Sequence, residues 1–353
     1  EQARAMREGL RNFYSVIKRL DPHLKFVLLT GVSKFSKVSL FSDLNNLEDL
    51  TLDPRVATLC GYTENELTTT FAKYLDGVDL DEVRRWYNGY HFLGEPVYNP
   101  FDILLFLRHR QFKAYWFETG TPTFLIELLR QRQFAIPTMD HYWASEDLLG
   151  AFDVEAIEPE ALLFQTGYAT IHETQQRPYG LRYRLGFPNE EVRISLPRAI
   201  LRHYVPDRQS QQRAADEVFE ALAQDDPDRL RTALHTFFAS IPHDWYRKNN
   251  LAGYEGYWAS LVYCLFAGLG VETRAEEATN RGQVDLVIQY QGRIWLLEFK
   301  IDDGNDGQKA LAQIKSKGYH QRYAGQSVTL IGIDFSREQR NLSGFAWERC
   351  SAE

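Results

Sequence analysis

The chain has 353 residues, too long for one ordinary core and suited to two or three domains. Hydrophobic residues make up 44%, charged residues 25% and aromatics 14%, which fits a soluble globular protein with solid cores and excludes a disordered one. A formal net charge of −8 argues against a chain-wide electrostatic grip on nucleic acid and leaves room only for a local basic strip. The three cysteines, Cys60, Cys264 and Cys350, are far apart. That spacing excludes a cysteine zinc site or a disulfide scaffold and fits a reducing cytoplasm. No apolar run is long enough to span a bilayer and no signal peptide is visible. The first residue is Glu1 rather than Met, so the expectation is a piece of a longer protein or a processed form.

Met6 to Leu20 carries helical spacing, with Leu10, Phe13, Tyr14, Ile17 and Leu20 on one face, and Asp21-Pro22 stops it. Lys25 to Thr30, "KFVLLT", is a continuous apolar run that predicts a buried parallel strand. A polar loop follows from Gly31 to Ser39. Thr63 and Glu66 form a capping-box pattern that would open a helix carrying Leu67, Phe71 and Tyr74. Asn88-Gly89 marks a turn and Asn99-Pro100 begins a helix. After an acidic stretch around Glu155 to Glu160, a helix, two strand-like pieces (Tyr168 to His172 and Leu181 to Phe187) and a further helix, Val192 to Tyr204, predict a winged-helix-like arrangement. Gln209 to Ala239 reads as one helical link.

The last segment predicts the order αβββαβ. Tyr254 to Leu269 is a helix and Val271 to Arg274 a short strand. Gly282 to Gln289 and Arg293 to Lys300 are strands joined by a tight turn. Gln308 to Tyr323 is a helix and Ser327 to Ile333 a final strand. Side chains alternate along a strand, so Leu296, Glu298 and Lys300 share one face of "RIWLLEFK", and Asp285 shares a face with Val287 in "QVDLVIQY". The turn makes the two strands antiparallel neighbours, which brings Asp285 toward Glu298. Two carboxylates in an apolar setting repel unless a proton or a cation sits between them. A hard divalent ion such as Mg²⁺, with its taste for oxygen ligands, is the economical solution. Lys300 beside it could orient or deprotonate a water, or steady the charge of a phosphate. This is equipment for metal-dependent hydrolysis of a phosphodiester. The competing reading of any single ExK is a surface ion pair.

"GQVDLVI", "IWLLEFK" and "QIKSKGY" together resemble the PD-(D/E)XK nuclease superfamily, in the variant fused to a degenerate AAA-ATPase-like domain. The resemblance implies a restriction-endonuclease-like α/β core, Mg²⁺ or Mn²⁺ as cofactor and nucleic acid, chiefly DNA, as partner. It assigns Asp285 and Glu298 to the metal, with the backbone carbonyl of Phe299 and the helix-borne Glu255 as further ligands. It makes Lys300 catalytic, and places Gln313 and Tyr319 where they would support Lys300 or touch the phosphate. Lys309, Lys315, Lys317 and Arg322 make the helix around Gln313 locally basic. Val284 stands where the family name has Pro, and Gln283 where relatives often carry Arg; neither change removes a ligand.

"LLTGVSKFSKVSLFSDLNNLEDLTLDP", "GYTENEL", "WYNGYHF", "VYNPFDIL" and "LGFPNEEVR" resemble the companion ATPase-like domain. The resemblance implies an oligomer, if one forms, through that region. Thr30, Ser33 and Lys34 fall in the loop that would report on a γ-phosphate. The chain contains no G-x-x-x-x-G-K-[ST] and no Walker B acid, motifs that would precede Glu1, so its residues alone give no expectation of ATP binding. The resulting division is 1–135 partial ATPase-like, 136–205 winged-helix-like, 206–250 helical linker and 251–353 nuclease-like. Two readings of function remain: a metal-dependent nuclease controlled by the first region, or a catalytically silent module that binds nucleic acid or a protein. A serine hydrolase is excluded by the lack of a G-x-S-x-G elbow.

Overall fold

A computed structural model describes residues 2–31, 47–119, 122–132, 134–150, 157–205, 207–241, 255–279, 282–301 and 306–350. The chain packs as two compact units, one of residues 1–119 with 141–192 and the other of residues 120–140 with 193–353. These boundaries cut the chain differently from the four stretches read off the sequence. Among the described residues no helix is long and apolar enough to cross a membrane.

In the first unit the capping box is present. The Thr63 hydroxyl accepts from the Glu66 N–H at 3.1 Å, and the Glu66 carboxylate accepts from the Thr63 N–H at 2.8 Å, opening the helix Glu64–Thr70. Asn99 caps the helix Pro100–His109, whose first position suits a proline because the missing N–H is not needed there. Leu67, Val83, Tyr87, Tyr98, Ile103 and Phe106 form the core beneath these helices. A three-stranded sheet in the order β1-β3-β2 follows, from β1 (Trp143–Ser145), β2 (Thr170–Arg177) and β3 (Gly180–Gly186). The hairpin β2–β3 lies in sequence between helices Pro159–Gln165 and Glu190–Tyr204, which is the helix–hairpin–helix order expected.

The N-terminal expectation needs correction. Gln2–Arg19 is helical, but Leu10, Phe13 and Leu20 on its apolar face are exposed. Lys25 to Thr30 forms no strand, and Phe26 is 79% exposed. An apolar run becomes a buried parallel strand only when neighbours take up its backbone N–H and C=O groups. Among the described residues no strand pairs with it. Ser33 and Lys34, in the loop beyond Thr30, lie outside the described residues.

In the second unit the stretch expected to be helical, Gln209 to Ala239, consists of two helices, Arg208–Ala223 and Pro227–Ala239. Asp225 adopts φ 54° and Asp226 caps the second helix through the Asp228 and Arg229 N–H groups. Pro227 could not continue the first helix, having no N–H to give. The C-terminal part is a mixed α/β core. Five strands lie in the order β4-β5-β6-β7-β8: β4 Glu272–Thr279, β5 Gly282–Tyr290, β6 Arg293–Ile301, β7 Ser327–Ser336 and β8 Asn341–Cys350. All neighbours are antiparallel except β6 and β7, which are parallel and joined through the helix Gln308–Lys317, as a parallel connection requires. The αβββαβ order holds, with β4 longer than expected and β8 an additional strand. The helix before β7 also ends earlier than expected, at Gly318 (φ 64°), and Tyr319–Tyr323 is a 3₁₀ turn.

Both faces of this sheet are covered. On one, Trp258 from the helix Glu255–Gly268 stacks on Phe335 at 4.7 Å, with Phe238 and Phe299 beside them. Each such aromatic contact adds about 0.5–1.5 kcal/mol beyond its area burial. On the other, Val287, Leu296 and Leu330 pack under Leu311, Ile314 and Tyr319. The helix Gln308–Lys317 starts in direct contact with the strands. A Cβ on Gly332 would lie 2.2 Å from the Gly307 carbonyl oxygen, and one on Gly344 would lie 2.5 Å from the Gly307 nitrogen. Only glycine permits that approach.

Candidate active site

The hairpin β5–β6 builds the site. Its two-residue turn, Gln291 (φ 49°) and Gly292 (φ 75°), has the left-handed pair of conformations that matches the twist of the flanking strands. The turn fixes a register in which Val287 faces Leu296 and Leu286 faces Leu297. One further step would set Asp285 opposite Glu298. The ladder stops short of it, and instead Asp285 Oδ2 accepts the backbone N–H of Phe299 at 2.7 Å. The carboxylate of Asp285 is thus held across the end of the hairpin, on the face that carries Leu296, Glu298 and Lys300.

Glu298 is 1% exposed. Its Oε1 accepts from Lys300 Nζ at 3.4 Å and from the Gln313 side-chain amide. Its Oε2 is buried and has no hydrogen-bond partner among the described residues. Burial pushes the Glu298 carboxyl up to about 7, and the charge of Asp285 pushes the same way, while Lys300 and Lys317 draw it down. Desolvation outweighs the lysines because a buried carboxylate loses its water on every side while each cation meets it from one. The four expected residues Asp285, Glu298, Lys300 and Gln313 therefore meet at one place. The Phe299 ring turns to the opposite face of the sheet and packs on Phe335, leaving only its backbone at the site.

Tyr319 is buried with Val287, Leu296 and Tyr323, and Lys317 Nζ lies 5.8 Å from its ring centroid. Glu255 opens the helix Glu255–Gly268, but its side chain lies outside the described residues. Among the described residues no three of His, Cys, Asp and Glu cluster as a metal-binding group. What converges is two carboxylates, one with an oxygen that has no donor among the described residues and a pKa raised by burial and by its neighbour's charge. Lys300 and Lys317 offset that rise only in part, and a small divalent cation that keeps most of its waters fits beside the pair. Of the basic residues on the helix, Lys315 pairs with Glu348 on β8.

One buried acid went unnoticed in the sequence. Asp334, on β7 opposite Lys300, is fully buried, and its Oδ2 accepts the Gly307 N–H at 2.7 Å. The available signal was a lone acid within the apolar run "VTLIGIDF".

Residues 253–344, which run from the helix Glu255–Gly268 to the start of β8, match the family model of the PD-(D/E)XK nuclease superfamily. That stretch is a PD-(D/E)XK nuclease superfamily domain. Residues 1–41 match the model described as a predicted AAA-ATPase, so the N-terminal region is AAA-ATPase-like. The chain is also 49% identical over 350 residues to an uncharacterized protein in the vnfD 5′ region of Azotobacter chroococcum, a match that covers 99% of this chain and 68% of that relative. Nucleases of the superfamily generally use divalent metal ions, and their substrate is nucleic acid.

Proposed function

We propose that the C-terminal core hydrolyses phosphodiester bonds of DNA with Mg²⁺ or Mn²⁺, and that the ATPase-like region controls access to it. The observation that carries this reading is the Glu298 carboxylate. It is buried beside Asp285, tethered on Oε1 by Lys300 and Gln313, and has no partner on Oε2 among the described residues. Asp285 and Glu298 would hold the cation, joined by the Phe299 carbonyl and Glu255 as the resemblance implies. When bound, a divalent ion would supply Lewis-acid polarisation of the phosphate and make a bound water easier to deprotonate.

The chain's own groups divide the remaining work. Gln313 fixes the rotamer of Glu298. Lys300, whose side chain is 29% exposed, reaches solvent at the carboxylate edge and can orient a water or hold charge on a phosphate oxygen. Asp285 is locked by the Phe299 N–H. Tyr319 backs this wall from the apolar side.

The test is cleavage of linear and circular, single- and double-stranded DNA, and of RNA, with Mg²⁺ or Mn²⁺ and with chelator. Cleavage of DNA by the wild type, lost with chelator and in Glu298→Ala and Lys300→Ala, is expected. Binding with no cleavage in any form would favour the silent module. Normal cleavage by both variants would remove the site from Asp285, Glu298 and Lys300.

A further inference from the structure

We infer that Asp334 is a positioning residue of this site: it caps the helix Gln308–Lys317 from a neighbouring strand and so sets Gln313 against Glu298. The inference rests on the nuclease reading for its consequence in catalysis, though not for its geometry. The helix has no cap of its own, because its N-cap position is Gly307, which has no side chain and sits at φ 78°. The first N–H groups of any helix lack partners within it and must find them elsewhere. The Gly307 N–H finds Asp334 Oδ2 at 2.7 Å, in the buried interior, from 27 residues away in sequence. A carboxylate there also complements the positive end of the helix dipole.

The surroundings leave this anchor little play. Gly332 and Gly344 press against Gly307 from β7 and β8, and Leu311 N lies where a Gly332 Cβ would be, at 2.4 Å. The β7–β8 register shifts between Asp334 and Phe335, where β8 carries one extra residue, Ser343, beside the strand that holds the carboxylate. Six residues past the cap, Gln313 donates to Glu298 Oε1. Asp334 also stands opposite Lys300 in the parallel β6–β7 ladder, so the strand that carries the anchor is hydrogen-bonded to the strand that carries the catalytic lysine. One buried acid therefore fixes the helix start, the helix carries the amide, and the amide leaves only Oε2 of Glu298 open.

The full chain labelled with ¹⁵N at glutamine tests this directly, with the Gln313 side-chain amide identified by its loss in Gln313→Glu. Asp334→Ala is expected to move that amide to the position of a solvent-exposed glutamine. Asp334→Asn, which keeps an oxygen for the Gly307 N–H, is expected to restore it. Cleavage and Mn²⁺ affinity should fall about 10- to 100-fold in Asp334→Ala, the range for groups that hold metal ligands in place, and recover in Asp334→Asn. The double variant Asp334→Ala/Gln313→Ala should lose no more than Gln313→Ala alone. A Gln313 amide unmoved in a folded Asp334→Ala protein overturns the inference, as does a double variant whose losses simply add. If the wild type cleaves nothing while the amide shifts as described, the nuclease reading fails and the positioning role stands.

Discussion

The protein holds two pairs of acids that differ in what surrounds them. In the first unit, Asp102 and Glu191 are both fully buried. Asp102 Oδ1 accepts the Trp116 N–H at 2.8 Å and Glu191 Oε1 accepts the Phe117 N–H at 3.1 Å. Asp102 Oδ2 and Glu191 Oε2 have no donor among the described residues, so two acids this close are held together by a proton on one of them, and burial raises both carboxyls, Glu191 most, to about 9. Neither shift includes a basic side chain among its causes. In the second unit, Glu298 is as buried, but Lys300 and Lys317 pull on it and Lys300 opens the edge to solvent. The first pair shares a proton and takes up the Trp116 and Phe117 N–H groups of the short helix Tyr115–Glu118. The second is the pair proposed to hold a cation. A buried carboxyl beside a second acid is thus common to both, and the nearby lysines and the route to solvent are what set the second pair apart.

The largest expected effect sets these two apart by activity. Glu298→Gln should lower cleavage by about 10²- to 10⁴-fold, the range for a lost catalytic group, without lowering the melting temperature, because it removes a buried charge. Glu191→Ala should do the reverse: leave cleavage by the folded protein unchanged and destabilise the first unit. Thermal melts and rates on the same two preparations check both. A Glu191→Ala protein that is stable but inactive would erase the distinction.

Next in size is the response to metal. At 100-fold excess over its dissociation constant, Mn²⁺ should stabilise the wild type by about 2.7 kcal/mol, since it binds the folded site alone. Glu298→Gln should show no such gain in a calorimetric scan, and Asp102→Asn should show all of it.

How much of this was open to a sequence reader follows from how local each feature is. The β5–β6 hairpin was legible because period-two alternation and a tight turn are short-range signals, and they sufficed to place Asp285, Glu298 and Lys300 on one face. The strand β8 was missed because Gly344 and the charged end of "SGFAWERC" look like a loop. That glycine is there for Gly307, which approaches from another part of the chain. Asp334 was missed for the same reason, its partner being a backbone N–H 27 residues earlier. "KFVLLT" failed in the opposite direction: its apolar run was visible, but a strand is made by its neighbours. The motifs "WYNGYHF", "VYNPFDIL" and "LGFPNEEVR" were visible as patterns, yet nothing local said that they meet. In the fold Gly89 sits against Pro188, where a Cβ would lie 1.9 Å from the Pro188 carbonyl oxygen, and Asp102 meets Glu191.

The acid pair of the first unit should also show itself through pH. Glu191 has its folded pKa raised from 4.5 to about 9. Between those values the unfolded chain has released a proton that the folded one keeps, so stability falls as pH rises across that window and levels off above it. The slope is about 1.4 kcal/mol per pH unit for one proton. Asp102 is raised as well and adds to the fall at the acid end, while Tyr90, whose own ionisation is pushed up by burial and by these two acids, stays neutral throughout. Glu191→Gln should flatten the profile of melting temperature against pH for the first unit. Its amide can still accept from the Phe117 N–H, so the variant should cost less than Glu191→Ala, in which that N–H is left unpaired at about 1–3 kcal/mol.

The smallest effect distinguishes two lysines on one helix. Lys315 is already paired with Glu348 on β8, an exposed pair worth about 0–1 kcal/mol, so its charge is largely spent within the protein. Lys317 lies over the Tyr319 ring and acts on Glu298. A DNA backbone entering the site should therefore meet Lys317 and not Lys315. Lys317→Ala should reduce the slope of log affinity against log salt by about 1, as expected for one lost phosphate contact, while Lys315→Ala should leave it unchanged. Equal losses for the two lysines would mean that DNA tracks the whole helix, and that the contrast between a charge spent on the fold and a charge kept for the ligand does not extend beyond the acids.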